Sequence, residues 1–355
     1  MPKRKILREI ALRGLSAAEE SIDRFRYDLL GAKTDAEPKI EVYCGFRNAE
    51  RLWLQGRVLE KWKGQMPVGD ATLSRVRNML RLYESDELPG VELTIETGGR
   101  TEHVVSDDEG YFCLELSDLA RTLPEVTKFE DVSVKAPGLS APPVSGEVLA
   151  PGRNVRLGII SDIDDTIIET GATNFVKNWR RILVETPKER VAVPGAPELY
   201  RMLTGLDGSA PNPIFYVSSS PWNLYPYLQE FLRHQGLPRG PMFLRDYGID
   251  DLKFIARPHT QHKTASVERV LDFYPDMRFL LIGDDGQKDI TVYADAARRF
   301  PERIAGVFIR DVHGDEHTDE TDPELKVLEA AGIPVYFGKT LEGAADVARE
   351  MGFGV

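Results

Sequence analysis

Cysteine is scarce in this chain. Cys44 and Cys113 are the two present among 355 residues, and each lies in a strand-like segment without metal-ligand spacing. A disulfide scaffold and a thiolate metal site are therefore excluded, and two buried thiols are expected. Long apolar runs are also missing: nothing approaches the roughly 18 residues of a membrane-spanning helix. An excess of basic charge is absent too. The chain carries 45 Lys and Arg against 57 Asp and Glu, a net charge of -12, which argues against nucleic acid as a partner, because phosphate backbones are held by surplus cations. The first fifteen residues contain Lys3, Arg4, Lys5, Arg8 and Arg13 but no uninterrupted apolar region and no small-residue cleavage site. Secretion is not expected, and a cytoplasmic location is.

At this length, 42% hydrophobic and 29% charged, the composition is that of a globular protein with two domains. Three stretches are expected. Residues 1–35 form an N-terminal helix, with Ile6, Ile10, Leu15, Ala18, Ile22, Phe25 and Leu29 approximating one stripe. Residues 39–150 form a small antiparallel β-sandwich-like domain of short runs such as Val91, Leu93 and Ile95 alternating with Glu92, Thr94 and Glu96. A helix over 69–83 interrupts it. The proline-rich piece 137–153 reads as a linker. Residues 154–355 alternate strands and helices as a doubly wound parallel sheet requires. Strands are expected at 157–160, 213–217, 242–244, 279–283, 304–309 and 333–337, and Pro334 suits an edge strand. Helices are expected at 194–203, 222–234 and 264–274, near Leu325 and over 341–351, and 174–190 is a basic, helix-like piece.

The chain is organised around Leu157 to Phe175. The apolar Leu157, Ile159 and Ile160 have the composition of a strand buried on both faces, and Asp162, Asp164 and Asp165 follow where it ends. In open α/β sheets that edge is where ligands bind. Carboxylates this close repel one another, so a cation that neutralises them is expected. Further on, the apolar run 213–217 ends in Ser218, Ser219 and Ser220, Lys263 opens a helical pattern, and the run 279–282 ends in Gly283, Asp284 and Asp285, with Asp289 four residues on. A lysine at a helix start faces the positive end of the dipole, and a bound phosphoryl group compensates.

Asp162-Ile163-Asp164-Asp165-Thr166 resembles motif I of the haloacid dehalogenase (HAD) superfamily of phosphotransferases, and the other three motifs of that superfamily have counterparts in order. The finer resemblance is to the phosphatidate phosphatases first associated with actin patches, through Ser161 to Ile167, Tyr216 to Asn223 and Ile282 to Asp289. Asp165 stands where the superfamily frequently has glycine. The resemblance implies a HAD-like fold and a Mg²⁺-dependent phosphatase. Asp162 is then the nucleophile, Asp164 the general acid/base, and Ser218 and Lys263 hold the phosphoryl oxygens. Asp162, the backbone carbonyl of Asp164, and Asp284 bind the metal. Thr166 orients motif I, and Asp285 or Asp289 assists. Separately, Ser106 to Phe112 is similar to a turn of transthyretin-like and carboxypeptidase-regulatory-like sandwiches.

The implied substrate is phosphatidate, converted to diacylglycerol through an aspartyl phosphate, with peripheral contact to a membrane. The interval after motif I is too short for a large cap, so an open site is expected. Phe175, Trp179, Trp222 and Tyr225 would supply aromatic groups at the interface, and Lys177, Arg180 and Arg181 would draw in the headgroup. The alternatives are a phosphatase of a soluble phosphomonoester or phosphoprotein, and a catalytically idle fold used for binding.

Overall fold

The computed structural model describes residues 38–59, 87–139, 142–168, 190–205, 212–245, 259–286, 288–312 and 323–353. The expected N-terminal helix and the helix over 69–83 lie outside these residues, as do Phe175, Lys177, Trp179, Arg180 and Arg181. Residues 38–355 form one compact unit containing two sheets.

The first sheet is made of β1 (Lys39–Val42), β2 (Gly45–Arg47), β3 (Leu52–Leu59), β4 (Glu92–Thr97), β5 (Arg100–Val105), β6 (Tyr111–Leu116), β7 (Lys128–Lys135) and β8 (Val144–Ala150). Its order is β1-β3-β2-β8-β7-β4-β5, with β6 on the other edge of β3. All pairings are antiparallel except β2 with β8. Leu52, Leu54, Ile95, Phe112, Val134 and Val148 of this sheet form one buried cluster. β8 corrects the linker expectation for 137–153. The prolines that suggested a linker bracket the strand instead of interrupting it, and Val144–Ala150 pairs along its length with β7. Cys113 is exposed rather than buried, because it sits on the outward-facing positions of β6.

The second sheet comprises β9 (Leu157–Ser161), β10 (Ile214–Pro221), β11 (Met242–Arg245), β12 (Arg278–Asp284), β13 (Ile304–Arg310) and β14 (Val335–Gly338), in the order β11-β10-β9-β12-β13-β14. Every pairing is parallel. Pro334 precedes the edge strand β14, where a missing N–H costs the ladder nothing.

Helices cover both faces: α1 (Ala196–Thr204), α2 (Tyr225–His234), α3 (His259–Phe273), α4 (Asp289–Arg299), α5 (Pro323–Ala330) and α6 (Ala344–Glu350). Alternation along the strands divides the core accordingly. Ile159, Tyr216, Leu280 and Ile282 pack with residues of α1, α2 and α6. Ile160, Phe215, Val217 and Leu281 pack with those of α3, α4 and α5. This explains the continuous apolar runs: both faces of these strands are dry.

Phe46 of β2 is fully buried and joins the second sheet's core, with its ring 4.6 Å from that of Phe273 and 5.7 Å from those of Phe215 and Phe243. Chain order reverses between β9 and β12, and a crevice at such a switch point is where a doubly wound sheet offers a site.

Candidate active site

β9 and β12 are neighbours in register, with Ser161 opposite Ile282, so the residues that follow emerge side by side at the carboxyl edge. The Asp162 N–H donates to the Ile282 carbonyl at 2.9 Å, carrying the pairing one residue past the strand. Carboxylate oxygens of Asp162, Asp284 and Asp289, all three side chains buried, lie within 4.8 Å of one another.

The sequence left Asp285 and Asp289 as alternatives, and the structure separates them. Asp289 is the first residue of α4 and accepts from the Asp284 N–H at 3.2 Å. Asp285 turns away and accepts from the Val312 N–H at 2.8 Å. Gly283 makes this possible, because a Cβ there would meet the Asp289 side chain at 2.7 Å and the Tyr293 ring at 2.8 Å. Thr166 donates to Asp284 Oδ2 at 3.4 Å, tying the two acidic turns together.

Lys263 enters the cluster from α3. Its Nζ lies 2.7 Å from Asp162 Oδ1 and 2.5 Å from Asp289 Oδ1. The helix is already formed at His259, the first described residue of this segment and five before the expected 264, so Lys263 lies beyond the first turn and the dipole argument does not apply to it. What holds the buried ammonium is charge. Burial would lower its pKa, but the pull of Asp162, Asp289 and Asp284 raises it. Asp162 goes up in turn through burial, which together with Asp289, Asp284 and Asp164 outweighs Lys263.

Asp164 is buried and faces β10. Ser218 donates to its Oδ2 at 2.6 Å, and Ser220 lies 3.2 Å from each of its oxygens. Burial pushes the Asp164 carboxyl up to about 6 despite these bonds. The sequence offered Ser220 only as a further donor beside Ser218, and the structure sets it against Asp164. The strand β10 runs to Pro221, and Ser218 and Ser220, two apart, therefore share a face. Three other supports carry no local signal in the sequence. The Tyr200 and Ser161 hydroxyls lie 2.5 Å apart, and Ser161 donates to the Asp162 carbonyl at 2.7 Å. Tyr293 donates to the Ile282 carbonyl at 2.8 Å. Arg310 donates to the Asp165 carbonyl at 2.6 Å and fixes a residue whose φ is 60°. That left-handed backbone favours glycine, and aspartate is among the few other residues that adopt it, which accounts for Asp165 in a position where glycine is frequent.

Trp222 and Tyr225, expected at a membrane interface, are buried against the first sheet. Their rings lie 4.2 Å and 4.6 Å from that of Tyr43, so neither is available to lipid.

The carboxylate trio fits a hard divalent cation. Its donors are oxygens, and Asp162 Oδ2 is buried without a hydrogen-bond donor among the described residues.

Residues 157–311 match the family described as "Phosphatidate phosphatase APP1, catalytic domain". The chain is 31% identical over 223 residues to an uncharacterized protein of Schizosaccharomyces pombe, covering 60% of this chain and 35% of that one. It is 31% identical over 154 residues to phosphatidate phosphatase APP1 of Saccharomyces cerevisiae, covering 43% of this chain and 26% of the relative. The matched regions thus span about a third and a quarter of these relatives' lengths. Among solved structures, a carbohydrate acetylesterase from Xanthomonas citri aligns over 88% of this chain and 75% of its own at 10% identity, with a TM-score of 0.29, a likeness too slight to assign a fold. Residues 157–311 are therefore similar to the catalytic domain of APP1 phosphatidate phosphatases, a family of phosphoric monoester hydrolases, as the three sequence fingerprints imply.

Proposed function

We propose that this chain is a Mg²⁺-dependent phosphatidate phosphatase that works through an aspartyl phosphate. In this reading its catalytic domain (154–355) is HAD-like, preceded by a β-sandwich-like domain (39–150) and an N-terminal helix (1–35). The observation that carries the reading is the cluster of Asp162, Asp284 and Asp289 with Lys263 at a sheet edge inside the matched residues. Asp162 and Asp284, with the Asp164 carbonyl, would hold the metal, which when bound neutralises charge on the phosphoryl oxygens and acts as a Lewis acid.

In the first step a carboxylate oxygen of Asp162 forms a bond to phosphorus while the phosphorus–ester oxygen bond breaks, and the leaving alkoxide takes the proton of Asp164. Its elevated pKa suits a carboxyl that begins protonated. In the second step the Asp164 carboxylate takes a proton from water. The water oxygen bonds to phosphorus, and the acyl phosphate bond breaks to release phosphate and restore Asp162. Lys263 stabilises charge on the equatorial oxygens, and the Ser218 hydroxyl can turn from Asp164 to donate to one of them.

The substrate is proposed to be phosphatidate at a membrane surface, reached from the cytoplasm. No helix among the described residues is long and apolar enough to cross a membrane. The net charge of -12 supports the competing reading, a soluble phosphomonoester, because anionic lipid repels the protein as a whole. Rates of phosphate release from phosphatidate in mixed micelles and from a water-soluble phosphomonoester discriminate the two. Higher kcat/KM on phosphatidate, reduced by Arg180→Glu with Arg181→Glu, is expected. A preference for the soluble ester, unmoved by those reversals, overturns the lipid assignment.

A further inference from the structure

The match to the family starts at residue 157, yet the serine strand is fastened from outside it. β10 passes at Pro221 into a single 3-10 turn, Trp222–Leu224, and then into α2. Neither the turn nor α2 has a side-chain N-cap, so no capping side chain sets the direction in which the chain leaves the site. The fastening comes from the first sheet. Tyr43, between β1 and β2, is stacked on Trp222 with ring centroids 4.2 Å apart and planes at 13°. The neighbouring Cys44 N–H donates to the Tyr225 hydroxyl at 2.8 Å.

Arg57 of β3 completes the clamp. Its Nη1 donates to Asn223 Oδ1 at 3.2 Å. The rest of the guanidinium is held on its own sheet by the Glu109 carbonyl at 3.0 Å, by Glu87 at 2.7 Å and by the Tyr111 ring, whose centroid is 4.4 Å away. A guanidinium fixed on three sides presents its remaining edge as a rigid donor. The residue it holds is three positions from Ser220, whose N–H donates to Ser218 Oγ at 2.9 Å and whose hydroxyl reaches both oxygens of Asp164.

We propose that Tyr43 and Arg57 are positioning residues for the phosphoryl site, acting through Trp222 and Asn223 to aim Ser218 and Ser220 at Asp164. The antiparallel sheet is then part of the catalytic apparatus and not an appended module. The proposal rests on the phosphatase reading for its kinetic readout, and it also has a readout independent of activity. Asp164 acts in the transition state, so its misalignment lowers kcat more than it raises KM.

The test uses the full chain with Arg57→Met, Asn223→Leu and Asn223→Asp. The last keeps an oxygen acceptor for Arg57. With p-nitrophenyl phosphate as substrate, Arg57→Met and Asn223→Leu should each lower kcat by about tenfold or more, the scale that small misplacements of reacting groups produce, with KM within about twofold. Asn223→Asp should recover most of the loss, and the Arg57→Met, Asn223→Leu double variant should be little worse than either single one. By hydrogen exchange, the Ser220 amide should lose protection in both loss variants while β9 and β12 keep theirs. Wild-type kcat with unchanged Ser220 exchange in Asn223→Leu overturns the proposal, even if the melting temperature falls. If Arg57→Met does not fold, the two Asn223 variants decide. If the wild-type chain hydrolyses no phosphate ester, the phosphatase reading fails and the clamp stands or falls on the exchange data.

Discussion

Two clusters of paired charges, one in the first sheet and one at the carboxyl edge of the second, are built to opposite specifications. In the first sheet Arg47 is buried and meets Glu130 through two parallel bonds, of 2.8 Å and 2.9 Å. Its remaining protons go to the carbonyls of Asn48, Arg121 and Thr122. Arg121 and Lys128 also approach Glu130. Burial acts to raise the Glu130 carboxyl, but these cations leave it below its usual range. At the edge of the second sheet Lys263, from α3, faces Asp162 and Asp289, with Asp284 and Asp164 close by. Here the carboxylates outnumber the ammonium, and Asp162 rises instead of falling. A pair that serves stability satisfies every proton and lone pair. A cluster that leaves negative charge over is arranged for something that arrives from outside.

The difference is sharpest in opposed responses to mutation. Asp162→Asn should lower turnover by more than about 10⁴-fold, the scale for losing a nucleophile, while thermal stability holds or rises, since one repelling charge is gone. Near-normal turnover in a phosphate-release assay would remove Asp162 from the mechanism. Arg47→Met should do the reverse. It should cost about 3 kcal/mol, the lower end of the range for breaking a buried pair because Arg121 and Lys128 remain, and leave kcat of the folded enzyme unchanged. Denaturant titration beside an assay at low temperature reads both quantities.

Chelation probes the surplus charge directly. EDTA should silence activity and lower the melting temperature, and Mg²⁺ at about a hundred times its dissociation constant should return activity and about 2.7 kcal/mol of stability. A melting temperature indifferent to Mg²⁺ would mean that the carboxylates are not its ligands. The smallest effect expected is that of Ser220→Ala. Asp164 keeps its bond from Ser218, so the loss is about 1 kcal/mol, a roughly fivefold fall in kcat. A loss as large as that of Asp162→Asn would give the hydroxyl a direct part in the chemistry.

What could be read from the sequence was whatever is local. Asp162, Asp164, Ser218 and Asp284 each stand at the end of an apolar run, and runs dry on both faces place all four at one sheet edge from the sequence alone. Lys263 was found by its motif but misplaced by one helical turn, because residues 259–262 lack an apolar stripe to extend the pattern. The choice between Asp285 and Asp289 depended on how the chain turns into α4 beside a glycine, which no periodicity encodes. β8 was hidden by its flanking prolines. Tyr200 and Tyr293 occupy apolar faces of helices, where a tyrosine reads as core unless the partner of its hydroxyl is known. Tyr43 and Arg57 meet Trp222 and Asn223 across sequence separations of more than a hundred residues, beyond the reach of any local pattern.

Phe46 carries a consequence for how the protein comes apart. Its ring sits among Phe215, Phe243 and Phe273, so the sheets cannot separate without opening a cavity of aromatic size in the second sheet's core, a cost of about 3–5 kcal/mol if Phe→Ala changes are the guide. An intermediate with one sheet melted and the other intact is penalised by that amount before any other contact is lost. Residues 38–355 should therefore denature in one step, with calorimetric and van't Hoff enthalpies in agreement. The same coupling makes a hinge between the sheets an unsuitable gate for substrate entry.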